Sequence, residues 1–298
     1  MYKRIFKVYY VRQFMVRVQF KFSSHRTRNL KNIKKQKAKF PNLVKEIVRI
    51  SDIVLEVLDA RFVKDTRNLE LESLVLDSGK ELVFVLNKSD LIDKDKIDKQ
   101  VVTSGLKRKG SVFYVSCKKK SGIVPLRNWL KQHALEIDLG EKRERVQIGI
   151  VGLPNTGKSS LINILTKRSS AGIGGEAGFT KGMQKIRLGK DLLVLDTPGV
   201  IPPAEYSHTD KGAIQKQSKV GARTQGKIRD PEMVVCGLMK DYFYNIEKFY
   251  KIAALGDSEV LIKELGKKKG YLKKGGEIDE DRTCRLIIED WQRGKIRV

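Results

Sequence analysis

The chain has 298 residues, enough to bury a core in one or two domains, and 61 Lys and Arg against 35 Asp and Glu give it a formal net charge of +26. So positive a field draws polyanions, which makes nucleic acid or an anionic membrane surface the expected partner; the plainer alternative is a solvated Lys-rich surface. Cys117, Cys236 and Cys284 are odd in number and without ligand spacing, which speaks against a disulfide framework or zinc site and suits a reducing cytoplasm, and no apolar run approaches the roughly 20 residues of a membrane span.

Residues 1–39 carry only basic charges, the first acid being Glu46, and are expected to form a disordered or RNA-bound arm. Its charges interrupt any signal-peptide core; a basic, acid-free mitochondrial presequence and a later start at Met15 remain open readings. Order is expected from Phe40-Pro41, with Asn42 as a cap and Val44, Ile47 and Val48 on one helical face. Short apolar runs then alternate with helix-length stretches: Ile53–Leu58, Leu82–Leu86, Val112–Val115, Val146–Val151 and Leu192–Leu195. That alternation predicts a mainly parallel sheet with helices on both faces, an α/β fold. Met183–Leu188 reads as one arm of a hairpin into the last strand.

Motifs sit at the ends of these strands. Asn87-Lys88-Ser89-Asp90 follows the second; Asp90 can accept both donors on one edge of guanine, N1–H and the exocyclic amine, which adenine cannot supply. Asn87 would tie this loop to a phosphate loop, and the Lys88 stem would pack over the purine. Ser116-Cys117-Lys118 after the third strand is the expected second base loop. Gly152-Leu-Pro-Asn-Thr-Gly157-Lys158-Ser159 matches GxxxxGK[ST] between a strand and the helical run SLINILT, as a phosphate cradle requires. Asn155, Thr156, Gly157, Lys158, Ser159 and Ser160 are the expected phosphate contacts, with Lys158 reaching the β and γ oxygens and Ser159 a ligand of Mg2+. Thr180, in a Gly-rich stretch, is expected to complete the Mg2+ coordination. In Asp196-Thr197-Pro198-Gly199, Asp196 would hold the ion through water and the Gly199 N–H would meet the γ-phosphate.

Residues 204–230 turn polar and read as a switch-like linker, and a helical pattern resumes from Met233. There Phe243, Ile246 and Tyr250 are expected to share one face, and Cys284, Ile287, Ile288 and Trp291 another. Asp257 and Asp279 are placed as N-caps and Gly294 as a C-terminal cap. Lys267, Lys268, Lys269, Lys273 and Lys274 cluster among glycines in what reads as a flexible loop between helices, a pattern suited to the phosphate backbone of structured RNA or simply to solvent.

An ordinary Ras-like chain runs phosphate loop, switch threonine, DxxG, NKxD and SAK; here NKSD and SCK come first. From about Phe40 to Val298 the sequence resembles the circularly permuted GTPases of the YlqF/YawG (RbgA-like) family, through that rotated order, Asp59-Ala60-Arg61, Pro154-Asn155 and the stretch Leu265–Ile296. The resemblance implies a circularly permuted P-loop GTPase domain at 40–203, the linker at 204–230 and a helical RNA-binding domain at 231–298. It further implies GTP or GDP and Mg2+ as ligands and the large ribosomal subunit and its rRNA as partners. A monomeric cytoplasmic protein with no membrane attachment is expected. Asn155 matches the asparagine that in some relatives helps hold K+; a loop-capping role is its alternative.

Two departures concern hydrolysis. Val200 and Ile201 follow DTPG in place of a water-orienting glutamine, and no histidine follows Phe40-Pro41, leaving His25, His133 and His208. The competing expectations are therefore a structural RNA-binding protein with a slow or vestigial GTPase site, or a GTPase acting on another RNA such as tRNA.

Overall fold

The apolar runs assemble into one six-stranded sheet. The computed structural model describes residues 44–140, 144–166, 184–196, 211–223 and 225–298, together with a small hairpin of β1 (Tyr10–Val11) and β2 (Phe14–Met15). The rest of the arm 1–39 and Asn42 lie outside the described residues. The sheet comprises β3 (Ile53–Asp59), β4 (Glu81–Asn87), β5 (Ser111–Tyr114), β6 (Val146–Val151), β7 (Gln184–Arg187) and β8 (Leu192–Asp196). Its order is β5-β4-β3-β6-β8-β7, with every neighbour parallel except the β7–β8 hairpin.

β3 explains the layering. All seven of its residues are buried, as a central strand covered on both faces requires. Ile53, Leu55 and Val57 join the core beneath α5 (Ile123–Glu136) and α6 (Lys158–Thr166). Val54 and Leu58 join the opposite core, under α1 (residues 44–50), α3 (Leu69–Asp77) and α4 (Lys94–Ser104). Val44, Ile47 and Val48 are buried there together, as the helical spacing anticipates. The expected strand Val112–Val115 begins one residue earlier, at Ser111, while the Val115 N–H still bonds the Leu86 carbonyl at 2.9 Å. One short helix, α2 (Val63–Thr66), follows β3 directly.

A third core belongs to helices: α7 (Lys211–Lys219), α8 (Pro231–Tyr250), α9 (Ser258–Lys269) and α10 (Glu280–Gln292). Asp257 caps α9 through the Glu259 and Val260 amides, and Asp279 caps α10 through that of Arg282. Gly294, at φ 69°, closes α10, its N–H bonding Trp291 O at 3.0 Å. Cys284, Ile287, Ile288 and Trp291 are all buried, but the face expected of Phe243, Ile246 and Tyr250 is not continuous, because Phe243 is 44% exposed. Tyr242 has non-helical angles (φ −139°, ψ 26°), which rotates the helix register and brings its own ring to 4.8 Å from Trp291.

Within 204–230, expected as a polar linker, residues 211–219 form α7, and Gln217 and Ser218 are buried against the helical core. Polarity misleads here because these groups are bonded: Gln292 Nε2 donates to the carbonyls of Ser218 and Arg223. The loop expected to be flexible after Lys269 is instead folded back on itself: Leu272 bridges Ile278, and Lys273 N–H bonds Glu277 O at 2.8 Å. No helix among the described residues is long and apolar enough to cross a membrane.

Candidate guanine-nucleotide site

Because β3, β4, β5, β6 and β8 run parallel, the loops leaving them emerge along one edge of the sheet. Asn87, the last residue of β4, joins two of these loops: its Nδ2 donates to Thr156 O at 2.8 Å, and its Oδ1 accepts from Cys117 N at 3.1 Å. The first contact explains Gly157, at φ 100°, where a Cβ would run into Asn87 Nδ2. Ser116 Oγ donates to Asp90 Oδ1 at 2.6 Å and accepts from Lys119 N at 3.0 Å, so one buried hydroxyl orients the carboxylate expected to meet the base. Ser89 N–H bonds Val115 O at 3.1 Å and knits the two base loops together. Cys117 is half-buried; burial, with the nearby charge of Asp90, pushes its thiol up to about 12, so it packs as a neutral side chain rather than a nucleophile. Lys118 is exposed on the same loop.

The phosphate loop runs from β6 into α6. Lys158 is buried, its Nζ donating to the carbonyls of Gly152 at 3.0 Å and Leu153 at 2.9 Å, across the mouth of the loop. Thr156 Oγ1 closes the loop on Leu153 O, and Ser159 and Ser160 lie half-buried in the first turn of α6, where backbone N–H groups and the helix dipole favour an anion. Asn155 has a left-handed backbone (φ 63°), and its Nδ2 donates to Gly221 O at 2.5 Å, just beyond α7. Asp196 ends β8 with its backbone paired to Ile150, one residue before the end of β6. The Asp196 side chain, Thr180, Gly199, His25 and His208 lie outside the described residues. His133 stacks on Trp129 at 3.7 Å and faces Glu81, which opens β4 at the end opposite Asn87. It stands away from the loop edge.

The Asp59-Ala60-Arg61 signature acquires a geometry that no motif announces. Asp59, fully buried at the end of β3, takes two bonds from the Arg61 guanidinium (Nε to Oδ1 at 3.0 Å, Nη2 to Oδ2 at 2.8 Å), one from the Arg61 backbone N–H at 3.1 Å and one from Lys88 Nζ at 2.8 Å. Burial alone would raise its pKa, but the charges and hydrogen bonds of Lys88 and Arg61 outweigh burial and hold the carboxyl below the usual range. The remaining arm of Arg61 donates to Trp291 O at 3.1 Å in α10. The available sequence signal was an acidic residue ending a mostly apolar strand with arginine two positions on.

The helical unit therefore meets all three loop regions. It reaches the phosphate loop through Gly221 and Asn155, and the end of β3 through Trp291 and Arg61. At the base loop Val298 N–H bonds Leu91 O at 3.3 Å, and Gly294 lies so close to the Leu91 side chain that a Cβ would overlap it. Its lysines project elsewhere: Lys267, Lys268 and Lys269 form the last turn of α9, and Lys273 and Lys274 lie at the tip of the folded loop, all exposed. Lys268 also bonds Tyr250 O at 2.9 Å, and Lys267 pairs with Glu264 at 2.9 Å.

A parallel sheet presenting a phosphate loop and two base loops on one edge defines a P-loop guanine-nucleotide-binding protein, with its loops in permuted chain order. Residues 147–252 match the family described as 50S ribosome-binding GTPase. An uncharacterized GTP-binding protein of Methanocaldococcus jannaschii is 38% identical over 265 residues, covering 88% of this chain and 67% of that protein. Nucleolar GTP-binding protein 2 of Saccharomyces cerevisiae is 32% identical over 271 residues, 88% of this chain but 53% of its own length. Among solved structures, YlqF from T. maritima bound to GNP superposes with a TM-score of 0.59 at 26% identity, over 87% of this chain and 95% of that one. The chain thus belongs to the family of circularly permuted GTPases of the YlqF type, and spans about half the length of the nucleolar relative it matches.

Proposed function

We propose that this protein is a GTP-hydrolysing switch that docks on ribosomal RNA and assists assembly of the large ribosomal subunit. One observation carries the reading: the helical unit bearing the exposed lysines is bonded to the base loop, the phosphate loop and the end of β3, so nucleotide state and RNA-facing surface share one framework. The net charge of +26 supports a polyanionic partner, and the family description and the nucleolar relative's name point the same way.

In this reading Asp90, oriented by Ser116, accepts both donors of guanine, while Asn87 holds the base loops to the phosphate loop and the Lys88 stem covers the ring. Asn155, Thr156, Gly157, Lys158, Ser159 and Ser160 hold the phosphates, with Gly199 at the γ end; Cys117 and Lys118 complete the base pocket. Ser159, Thr180 and, through water, Asp196 form a hard-oxygen set suited to Mg2+, which would neutralise charge on the phosphates. K+ beside Asn155 would add to that neutralisation. Lys267, Lys268, Lys269, Lys273 and Lys274 are assigned to the RNA backbone. With no glutamine after DTPG, intrinsic turnover is slow and the ribosomal partner completes the site. We place the protein in the cytoplasm as a monomer, where its three free thiols stay reduced.

The test is GTP turnover in K+ buffer with and without large ribosomal subunits or their precursors. A rise of about tenfold or more, ~1.4 kcal/mol of barrier, is expected, and exchanging K+ for Na+ should abolish part of it. Intact GTP binding with no rise would instead favour a structural RNA-binding role or another RNA such as tRNA.

A further inference from the structure

We infer that Asp59 and Arg61 form a positioning unit that sets Lys88 over the base and transmits base occupancy to the helical unit through Trp291. The inference rests on the guanine-nucleotide reading of the site and names a route within it.

The route starts at Lys88. Its backbone is left-handed (φ 61°, ψ 29°), a conformation a long side chain adopts at a cost of about 1 kcal/mol or more, so something must hold it there. The holding contact is the 2.8 Å bond from Nζ to Asp59 Oδ2, which fixes the far end of the side chain while its stem is left to pack. Asp59 can serve as a fixed anchor because Arg61 grips both its oxygens and because all of its surface is buried. Arg61 is itself buried and has one arm left, and that arm reaches Trp291 O.

Side-chain packing runs parallel to these bonds. Phe62, next in sequence, stacks on the Trp291 ring at 5.8 Å and 28°, and Tyr242 closes on the same ring at 4.8 Å. Trp291 Nε1 in turn donates to Lys219 O at 2.9 Å, at the end of α7. From the purine-covering lysine to α7 the chain of contacts is continuous and, at Asp59, Arg61 and Trp291, buried. A ligand that shifts Lys88 therefore either moves Trp291 or breaks a charged bond along the route. By linkage, an RNA partner that fixes the helical unit changes nucleotide affinity by the same factor that nucleotide changes RNA affinity.

The chain has two tryptophans, so Trp129→Phe leaves Trp291 as the sole reporter without touching the route. GDP is titrated into that variant, with Trp291 emission read against the dissociation constant from calorimetry. Emission is expected to change and to saturate with that constant. Arg61→Gln in the same background should weaken GDP binding about tenfold and remove the emission change. Arg61→Lys keeps a cation beside Asp59 but cannot span to Trp291 as well, so it should hold affinity within about threefold while losing the response. A purely structural role would move both readouts together. If GDP binds and Trp291 stays silent in the Trp129→Phe chain, or if Arg61→Lys responds fully, the route is wrong. A wild-type chain that binds no guanine nucleotide overturns the site reading itself, and this inference with it. The Trp129→Phe titration needs no substitution in the buried pair, so a misfolded Arg61 variant does not remove the test.

Discussion

Strand β3 buries two carboxylates, Glu56 in its middle and Asp59 at its C-terminal end, and surrounds them differently. Asp59 has Arg61 and Lys88 to itself and stays below the ordinary carboxylate range. Glu56 has a fully buried neighbour, Glu72, that takes the cations: Arg67 binds both Glu72 oxygens at 2.6 and 2.5 Å, and Lys109 adds a bond at 2.8 Å. Glu56 is left with the Asn68 N–H at 2.6 Å on one oxygen, and its other oxygen has no partner among the described residues. Burial first, then the charge of Glu72, pushes Glu56 up to about 8. At one depth in the sheet, then, the number of cations per carboxylate decides which acid is charged. The charged acid stands where the loops converge, and the neutral one beneath α3, where it fastens the turn at Asn68.

The largest effect should come from removing the anchor. Asp59→Ala leaves the Arg61 guanidinium buried with only a carbonyl partner, whereas Lys88, partly exposed, can turn to water. A loss of about 3–5 kcal/mol in denaturant unfolding is expected. A loss below about 1 kcal/mol would mean that water reaches Arg61 and that the pair is not the closed joint its geometry describes.

Next comes the charged rim further along the edge. Asp90→Asn retains the size of the side chain but replaces one acceptor with a donor, so the guanine amine meets an amide N–H. Affinity for GTP should fall by at least about a hundredfold, ~2.8 kcal/mol, while xanthosine triphosphate, with an oxygen in place of that amine, should gain. Unchanged nucleotide preference in competition binding would remove Asp90 from the base site.

Much of this arrangement was legible in the chain. Continuous apolar runs ending in NKSD, SCK and GLPNTGKS placed the strands and loops to within a residue, because burial on both faces and phosphate-cradle geometry each constrain residue type. The Arg61–Trp291 bond was not legible: it spans 230 positions and depends on one free guanidinium arm. Nor was the break at Tyr242, since helical periodicity carries no information about a ring drawn toward Trp291 and Phe62. Gln217 and Ser218 fall within a stretch that reads as a polar linker because polarity is visible in sequence and hydrogen-bond satisfaction is not.

Glu72→Gln sharpens the contrast from the interior side. It should cost about 1–2 kcal/mol, since Arg67 and Lys109 lose their charged partner yet retain access to water or to Glu56. With those cations turning to it, Glu56 should titrate closer to an ordinary carboxylate, and the pH profile of stability is the readout.

The smallest effect at mildly acidic pH belongs to Glu56→Gln, and its sign separates the two acids. The folded chain keeps a proton on Glu56 up to about pH 8, whereas the unfolded chain loses it near 4.5. Between those values the folded state binds more protons, so its stability falls as pH rises, by up to about 1.4 kcal/mol per unit, and levels off beyond. Glutamine imitates the protonated acid in shape and still offers the Asn68 N–H an acceptor. At pH 5 the variant should therefore lie within about 1 kcal/mol of the parent, and by pH 8 it should be the more stable of the two. Asp59→Asn should behave oppositely, destabilised throughout that range, because there the charged form is the native one. If Glu56→Gln leaves the slope of the parent unchanged in unfolding at pH 5, 6.5 and 8, Glu56 is ionised in the fold, and Arg67 and Lys109 serve it as fully as Arg61 and Lys88 serve Asp59.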